Sequence, residues 1–336
     1  MKILFIAKSF PGYSAYFIAQ TIQEMGHSVV WFELPKSGGQ TPSSTDRFKS
    51  FIKQNLPFSL KWYVHFKNKQ IIETALKEKP DLVLVYRGYY ILPETIQKLR
   101  RELNLTCFLW FHDPFYTLTE TDVGTFRDYS RVFLKDHYLL HELQKTGMSN
   151  LRYLPQACYP ELHKPPEKAP TFDYEISFIG RHYAQREHLF AGLENYRFMI
   201  YGLHWQNLQN KSGLSACWQG KAIVGEEAVS VYQRSMINLN TFHYSEIDSL
   251  NLRTFEITGS GGFMITEEKT ILSEIFEPNH DIATFKDKQD MFEKIRYFLR
   301  HENERVEMAA AACKKVHQSH TFKHRLVKIF EAMETC

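Results

Sequence analysis

The feature that most constrains the fold is a repeated order of apolar strand, helix, glycine and strand. "KILFIA" (Lys2–Ala7) is a continuous apolar run, as expected of a strand that is covered on both faces. A helix follows, with Ser14 as its predicted N-cap and Gly26 as its stop. "SVVWFE" (Ser28–Glu33) is the next predicted strand. The order predicts a parallel βαβ unit with a right-handed crossover.

The same order recurs on both sides of a proline-rich segment, which holds five of the thirteen prolines at positions 155–170. Such a segment cannot be helical, so we expect it to run over the surface. Strands are predicted at 81–87, 106–111, 131–135 and 151–154 before it, and at 175–180, 197–202, 236–242, 262–266 and 281–285 after it. Helices are predicted at the C-terminus, one with a capping box of Asp290 and Glu293 and the last capped by Thr321.

These patterns predict an α/β protein with two Rossmann-like doubly wound domains that face each other across a cleft, followed by C-terminal helices. The predicted domains are 1–160 and 171–319, with 155–170 as the linker. A helix at about 320–336 can pack back on the first domain. In such sheets, ligands bind at the carboxyl ends of the strands.

Composition excludes several classes of protein. The net charge of +3 is too small to indicate nucleic-acid binding by itself. The five cysteines show no ligand spacing, which favours reduced thiols over disulfides or a zinc site. No apolar run approaches the ~18 residues of a membrane span. With no signal peptide recognised, the expected location is the cytoplasm, with peripheral membrane association as a further expectation.

One stretch, "SLNLRTFEITGSGGFMITE" (Ser249–Glu267), combines a polar loop, a short helix and a glycine stop before a strand. The N–H groups at the start of this helix can hold phosphate, aided by the helix dipole. Glu256, placed about two turns into the helix, suits the two vicinal hydroxyls of a ribose. The alternative is a surface helix with an i,i+3 pair of Arg253 and Glu256 and a glycine stop.

The same stretch resembles the donor-site signature of two-domain GT-B glycosyltransferases, in particular the spore-maturation CgeB-like family. "RYLPQACYPELHKP" (Arg152–Pro165) resembles the interdomain segment of that family, and "EISFIGR" (Glu175–Arg181) resembles the first strand of its second domain. The C-terminal helices also resemble those of the family. The likeness covers about Leu151 to Phe330, whereas the N-terminal half matches in architecture alone.

The resemblance implies roles for eight residues of the second domain. Glu256 would bind the ribose hydroxyls, and Arg253 would reinforce the diphosphate site. Two loops would complete the donor site. One follows the first strand of that domain, and the other lies beside the nucleobase of the donor. The diphosphate would be held by Gly180, Arg181, Ser249, Leu250 and Asn251, and the nucleobase by backbone groups at Lys221.

Alternatives stay open at two of these positions, because Arg181 and Lys221 can instead be solvated loop charges. Arg186 is a weaker candidate and is interpreted as a surface helix residue. Glu246 is spaced differently from the upstream glutamate of many retaining relatives. Retaining and inverting chemistry therefore both remain open.

The first domain is expected to supply the acceptor side. His112 and Asp113 follow an apolar strand; by resemblance the histidine would contact the transferred sugar, and the aspartate would take a proton if the enzyme inverts. The alternative is an Asp-Pro turn. Gly12 and Tyr13 in the first loop, and Arg87 in "YRGYY", are further acceptor-side candidates, or else parts of ordinary turns.

A basic and aromatic segment, "DRFKSFIKQNLPFSLKWYVHFKNKQ" (Asp46–Gln70), carries six Lys and Arg against one acid. Such a surface can meet anionic lipid headgroups or a nucleic-acid backbone. The alternative is a solvated basic helix whose aromatic side chains pack inward.

The sequence thus predicts a glycosyltransferase that moves a sugar from a nucleoside-diphosphate sugar to an unidentified acceptor, which is a glycan, a lipid-linked molecule or a nucleic-acid base. No DxD triplet occurs, so we expect neither a metal nor a cofactor; cations and helix dipoles would stabilise the leaving group. The alternatives are a GT-B nucleotide-sugar epimerase and a non-catalytic protein that binds nucleotide sugars.

Overall fold

The computed structural model describes residues 1–8, 12–34, 57–168, 171–208 and 213–335. The chain divides into two compact units. The first unit comprises Met1–Leu154 with Leu326–Cys336, and the second comprises Pro155–Arg325. Residues 46–56 of the predicted basic and aromatic segment lie outside the described part of the chain.

The first unit contains a sheet of six strands, and every pairing in it is parallel. The strand order is β2-β1-β3-β4-β5-β6. Four of the strands are almost wholly buried, which explains their continuous apolar runs. The strands are β1 (Lys2–Ala7), β2 (Ser28–Glu33), β3 (Leu82–Tyr86), β4 (Thr106–Phe111), β5 (Arg131–Leu134) and β6 (Leu151–Tyr153).

Five α-helices are described between these strands: α1 (Ser14–Glu24), α2 (Pro57–Glu78), α3 (Pro93–Gln97), α4 (Glu120–Thr125) and α5 (His137–Lys145). The prediction that Ser14 caps α1 was wrong. Tyr13 occupies the N-cap position without a side-chain hydrogen bond. Ser14 is buried instead, because its Oγ accepts a hydrogen bond of 2.8 Å from the Tyr86 hydroxyl at the end of β3.

The second unit contains a parallel five-stranded sheet in the order β11-β10-β9-β7-β8. Its strands are β7 (Tyr174–Ile179), β8 (Phe198–Tyr201), β9 (Ser235–Asn240), β10 (Met264–Glu267) and β11 (Ala283–Phe285). The described α-helices that follow in the chain are α6 (Ala184–Phe190), α7 (Leu214–Cys217), α8 (Glu226–Gln233), α9 (Leu252–Gly259), α10 (Lys288–Phe298), α11 (Glu302–Ser319) and α12 (Phe322–Glu331).

Two sequence expectations about the second unit were wrong in detail. Helix α10 is capped by Asp287, whose carboxylate accepts a hydrogen bond from the Asp290 N–H, so the predicted capping box of Asp290 and Glu293 does not form. Part of the proline-rich segment is buried, not on the surface. Its Cys158 exchanges main-chain hydrogen bonds with His320 and Phe322.

The C-terminal helix α12 is divided between the two units. Thr321 lies just before α12, and its hydroxyl accepts a hydrogen bond from the His324 N–H, which confirms the predicted cap. From Leu326 onward the chain belongs to the first unit, where the Phe330 ring packs edge-on against His27 at 5.0 Å. Among the described helices, none is both long and apolar enough to cross a membrane.

Strand order determines where each unit can bind a ligand. In the first sheet the chain winds outward in opposite directions from β1 and β3, and in the second from β7 and β9. At such a switch point the loops leave the sheet on opposite sides and open a crevice at the carboxyl edge. The predicted site residues follow these strands.

Candidate functional site

Helix α9 follows β9, one of the two strands at the switch point of the second unit, and its start is fixed by Asn251. The Asn251 Oδ1 accepts a hydrogen bond of 3.1 Å from the Thr254 N–H, so Asn251 is the N-cap. Its Nδ2 donates to Asn240 Oδ1 at 2.9 Å and to the Thr241 carbonyl at 3.1 Å. Because the side chain is used in this way, a ligand at this position would meet backbone groups.

Glu256 lies one turn into α9, not the two turns expected from the sequence. Its buried carboxylate is paired with Arg253 and accepts a hydrogen bond of 3.3 Å from the Tyr232 hydroxyl. Nε2 of His163 is 3.9 Å away. Burial alone would raise the pKa of Glu256, but Arg253 and His163 hold it below its usual range. Glu256 is therefore an ionised, oriented carboxylate, and the alternative of a solvated surface pair is wrong.

Arg253 connects α9 to the end of β7, since its Nε donates a hydrogen bond of 3.1 Å to the Ile179 carbonyl. The next residue is Gly180, where a Cβ would lie 2.6 Å from the Phe178 ring. At the end of β8, a Cβ on Gly202 would collide with the Gly180 carbonyl. The strand ends thus approach each other backbone to backbone, which only glycine permits.

Four predicted donor-site residues stand apart from this group or are covered. Arg181 is exposed on the loop after β7. Lys221 is also exposed and pairs with Glu227, while its carbonyl accepts a hydrogen bond of 2.9 Å from the Gly202 N–H. Ser249 and Leu250 are fully buried, so a ligand would reach them only after their neighbours move. All these donor roles stay predictions.

Sequence reasoning missed Lys269, which follows β10. Its ammonium donates to the Glu246 carbonyl and lies 3.3 Å from the carbonyls of Ile247 and Ser249. It also lies 4.6 Å from the centre of the Phe242 ring. Lys269 thereby holds the loop that leads into α9. Nothing in the local sequence distinguishes it from a solvated lysine.

Arg186 is the other residue that was misjudged, because it is buried and not a surface helix residue. Its guanidinium donates to Thr241 Oγ1 at 2.7 Å, to the Thr241 carbonyl at 2.9 Å and to the Arg181 carbonyl at 2.7 Å. The group also lies 4.7 Å and 5.0 Å from the ring centres of Tyr183 and Phe178. Burial lowers its pKa to about 10, so it is still charged at neutral pH. Arg186 joins the carboxyl ends of β7 and β9.

We predict that Arg186→Lys lowers the free energy of unfolding by about 1–3 kcal/mol, since a lysine cannot satisfy three acceptors in this fork geometry. Urea denaturation measures this loss. The matched control is Arg296→Lys, at an exposed position of α10, which should change stability by no more than about 0.5 kcal/mol. Equal stability of both variants would show that Arg186 does not hold the two strand ends together.

In the first unit, the polar side chains after β3 and β4 form a connected group. Arg87 Nε donates a hydrogen bond of 3.0 Å to His112 Nε2 and lies 3.5 Å from the Asp113 carboxylate. That carboxylate accepts a hydrogen bond of 2.7 Å from the Tyr89 hydroxyl. The His112 ring stacks on Tyr86 at 3.8 Å. The structure thus brings together three of the five predicted residues on this side.

The electrostatics of this group set the protonation states. Burial lowers the pKa of His112 to about 3, so the imidazole is neutral at physiological pH. Burial alone would raise the pKa of Asp113, but the charge of Arg87 and the hydrogen bond from Tyr89 hold it below its usual range. Asp113 is therefore a charged and weakly basic carboxylate. These states favour orientation and charge stabilisation over strong general-base catalysis.

Backbone conformation places Arg87 in this position. Its φ of 79° is rare for a non-glycine residue, and its N–H is held by the Trp110 carbonyl at 3.0 Å. Gly12 also has a positive φ, of 83°, in the loop after β1, and Tyr13 beside it is exposed. Their predicted acceptor-side roles stay predictions. Within the described ranges, no group of three or more His, Cys, Asp or Glu side chains is arranged to hold a metal ion.

Comparison with known proteins identifies similar sequences and similar solved structures. Residues 181–331 match the family described as glycosyl transferase-like. The chain is 22% identical to the spore protein CgeB of Bacillus subtilis (strain 168) over 272 residues, which cover 75% of this chain and 82% of that protein. The structure of Anabaena HepE in complex with UDP-glucose is similar, with a TM-score of 0.68, 13% identity and full coverage of both chains. A putative UDP-N-acetylglucosamine 2-epimerase from Listeria monocytogenes also shares the fold, with a TM-score of 0.60, 11% identity and 99% and 96% of the two chains covered.

The two parallel sheets have the GT-B fold, and residues 181–331 are similar to glycosyl transferases. The fold expected from the sequence is confirmed, and the similarity to CgeB agrees with the expected family. The epimerase-like neighbour shows that the fold alone does not distinguish sugar transfer from epimerisation.

Proposed function

We propose that the second unit binds a nucleoside-diphosphate sugar at the start of α9 and that the enzyme transfers its sugar to an acceptor. The single observation that carries this proposal is the buried, ionised Glu256, which Arg253 orients at the switch point of the sheet. A carboxylate in that position can accept hydrogen bonds from both ribose hydroxyls. The helix start beside it favours the diphosphate.

A uridine nucleotide is the first donor to consider. The support is the fold shared with Anabaena HepE, whose structure contains UDP-glucose. We propose that transfer requires no metal, with the leaving diphosphate stabilised by the α9 dipole and by Arg181 and Arg253. In the first unit, His112 and Asp113 would orient the acceptor hydroxyl and the transferred sugar.

A donor screen tests this proposal. Thermal unfolding with UDP-, GDP-, ADP- and CMP-sugars should show one base that stabilises the protein, by about 2.7 kcal/mol at 100 times the dissociation constant. Release of the nucleoside diphosphate, measured with and without EDTA, then tests turnover and metal independence. No stabilisation by any of the nucleotide sugars would contradict donor binding.

Two other functions make different predictions in the same assay. An epimerase would change the configuration of the sugar, whereas a non-catalytic binding protein would be stabilised by the donor and release no nucleoside diphosphate. NMR of the sugar after incubation distinguishes these outcomes. Transfer has the stronger support, because the family match concerns glycosyl transferases.

We also propose that α2 brings the enzyme to an anionic membrane surface. Trp62 and Phe66 are 63% and 41% exposed, and their rings stack at 5.4 Å, so these two aromatic side chains do not pack inward as the alternative required. Lys67 and Lys69 lie on the same helix. Aromatic and basic side chains together are typical of surfaces that meet anionic headgroups.

We expect sedimentation with vesicles that contain phosphatidylglycerol, and less with pure phosphatidylcholine. Trp62→Ala should reduce binding several-fold, because it removes exposed apolar area, and salt should weaken it by screening. Leu76→Ala is the matched control, since Leu76 is also exposed on α2. Equal binding of both variants, or to both lipids, would contradict the proposal.

A further inference from the structure

The carboxyl edge of the first sheet carries a group of cations that the proposed transfer chemistry does not by itself require. Lys8 follows β1, Arg87 follows β3 and Lys135 follows β5. The strand order places β1, β3, β4 and β5 side by side. Parallel strands end at the same edge, so the three cations come from neighbouring loops.

Contacts within this group show how close the charges are. The Lys8 ammonium lies 5.9 Å from the centre of the Tyr89 ring, and the Tyr89 hydroxyl bonds Asp113. Arg87 lies 3.5 Å from the same carboxylate. Lys135 is buried, and its charge lowers the pKa values of both His112 and Asp113. Burial lowers the pKa of Lys8, and the nearby charge of Arg87 lowers it further. The cations repel each other across this edge.

Two acidic groups, Asp113 and Asp136, follow the neighbouring strands β4 and β5. Asp113 is the carboxylate in contact with Arg87. Asp136, which follows Lys135, accepts a hydrogen bond of 3.2 Å from the Leu139 N–H as the N-cap of α5. Arg87 uses Nε for its bonds, and its side chain is 35% exposed. Its Nη1 and Nη2 make no hydrogen bond to any residue in the described ranges.

A guanidinium that is fixed at Nε and has two open donors at Nη is suited to bidentate binding of an anion. We infer that the acceptor carries a phosphate or carboxylate group, which binds at Arg87 and Lys8, with Lys135 adding positive charge from β5. The neutral His112 and the anionic Asp113 lie beside this anion site. The acceptor hydroxyl would then be oriented by an anionic group elsewhere on the same molecule. This inference rests on the proposed transfer function for the identity of the ligand as an acceptor.

Inorganic phosphate is the probe that tests the site. It is titrated by calorimetry into the full chain in the presence of saturating nucleoside diphosphate, so that the donor diphosphate site is already occupied. We expect saturable binding with a dissociation constant in the millimolar range. Arg87→Gln should weaken it about 10-fold or more, because it removes a positive charge and its charge-assisted hydrogen bonds to the anion.

Lys8→Gln is the second variant, which keeps the test valid if Arg87→Gln does not fold; it should weaken phosphate binding about threefold or more. Lys145→Gln is the matched control, because Lys145 is an exposed cation on α5 of the same unit. Its phosphate affinity should equal that of the wild type. No saturable phosphate binding, or equal affinity in all four proteins, would overturn the inference.

Two further measurements identify the source of the anion. Displacement of phosphate by sugar phosphates, and not by the neutral sugars, indicates a soluble acceptor. Binding to phosphatidic acid vesicles that is lost in Arg87→Gln indicates a lipid-linked acceptor. If Arg87→Gln weakens the nucleoside diphosphate instead of phosphate, the cations serve the donor and the inference is wrong. Failure of donor hydrolysis in the wild type would instead contradict the proposed function, and phosphate binding would still report on the anion site.

Discussion

Replacement of Glu256 by glutamine is expected to weaken nucleotide-sugar binding by about 10- to 100-fold. The carboxylate is buried, ionised and oriented by Arg253 and Tyr232, so its hydrogen bonds to ribose hydroxyls would be charge-assisted. Such bonds contribute about 1.5–3 kcal/mol. Calorimetry with the donor identified by the screen measures the loss.

The control for Glu256→Gln must separate lost binding from lost structure. Glutamine keeps the shape of the side chain but leaves Arg253 without its ion partner, so the unfolding midpoint is measured in parallel. Glu293→Gln, on the exposed side of α10, should bind the donor with wild-type affinity. Unchanged donor affinity in a folded Glu256→Gln protein would exclude the ribose role.

Asp113→Asn and His112→Ala are expected to lower turnover by about 100-fold or more and to leave donor affinity within about threefold, or roughly 0.7 kcal/mol. Both side chains lie at the carboxyl edge of the first sheet, where Arg87 connects them. Groups that act on the transition state change kcat without changing nucleotide binding. Steady-state kinetics with separate donor calorimetry checks this difference.

The pH dependence of turnover provides a second readout for the same residues. Since the pKa of His112 is about 3, the imidazole stays neutral as the pH rises from about 5 to 8. We therefore expect no inflection from His112 in that range. A wild-type inflection near pH 6.5 that is lost in His112→Ala would show that this histidine titrates as an exposed one does. A loss of donor affinity equal to the loss of turnover would show that the pair binds nucleotide.

Much of the fold was predictable from local signals. Strands that are buried on both faces must be continuously apolar, so β1 and β4 were predicted with the bounds that the structure has. The partly buried edge strand β2 was also predicted with its observed bounds. Gly26 marked where α1 ends, because glycine readily adopts the left-handed conformation that closes a helix. The caps of α1 and α10 were wrong, since several Ser and Asp residues near a helix start satisfy the same pattern.

The sequence by itself determined the α/β class, most strand positions and the stretch around Glu256, because these depend on residues within one or two turns of each other. Only the tertiary structure decided which distant groups meet. The Arg186 guanidinium bonds Thr241, 55 residues away, and the Arg87 guanidinium bonds His112, 25 residues away. In both cases the contact depends on strand order. Local patterns do not encode that order, because any parallel arrangement of the same strands would bury the same apolar runs.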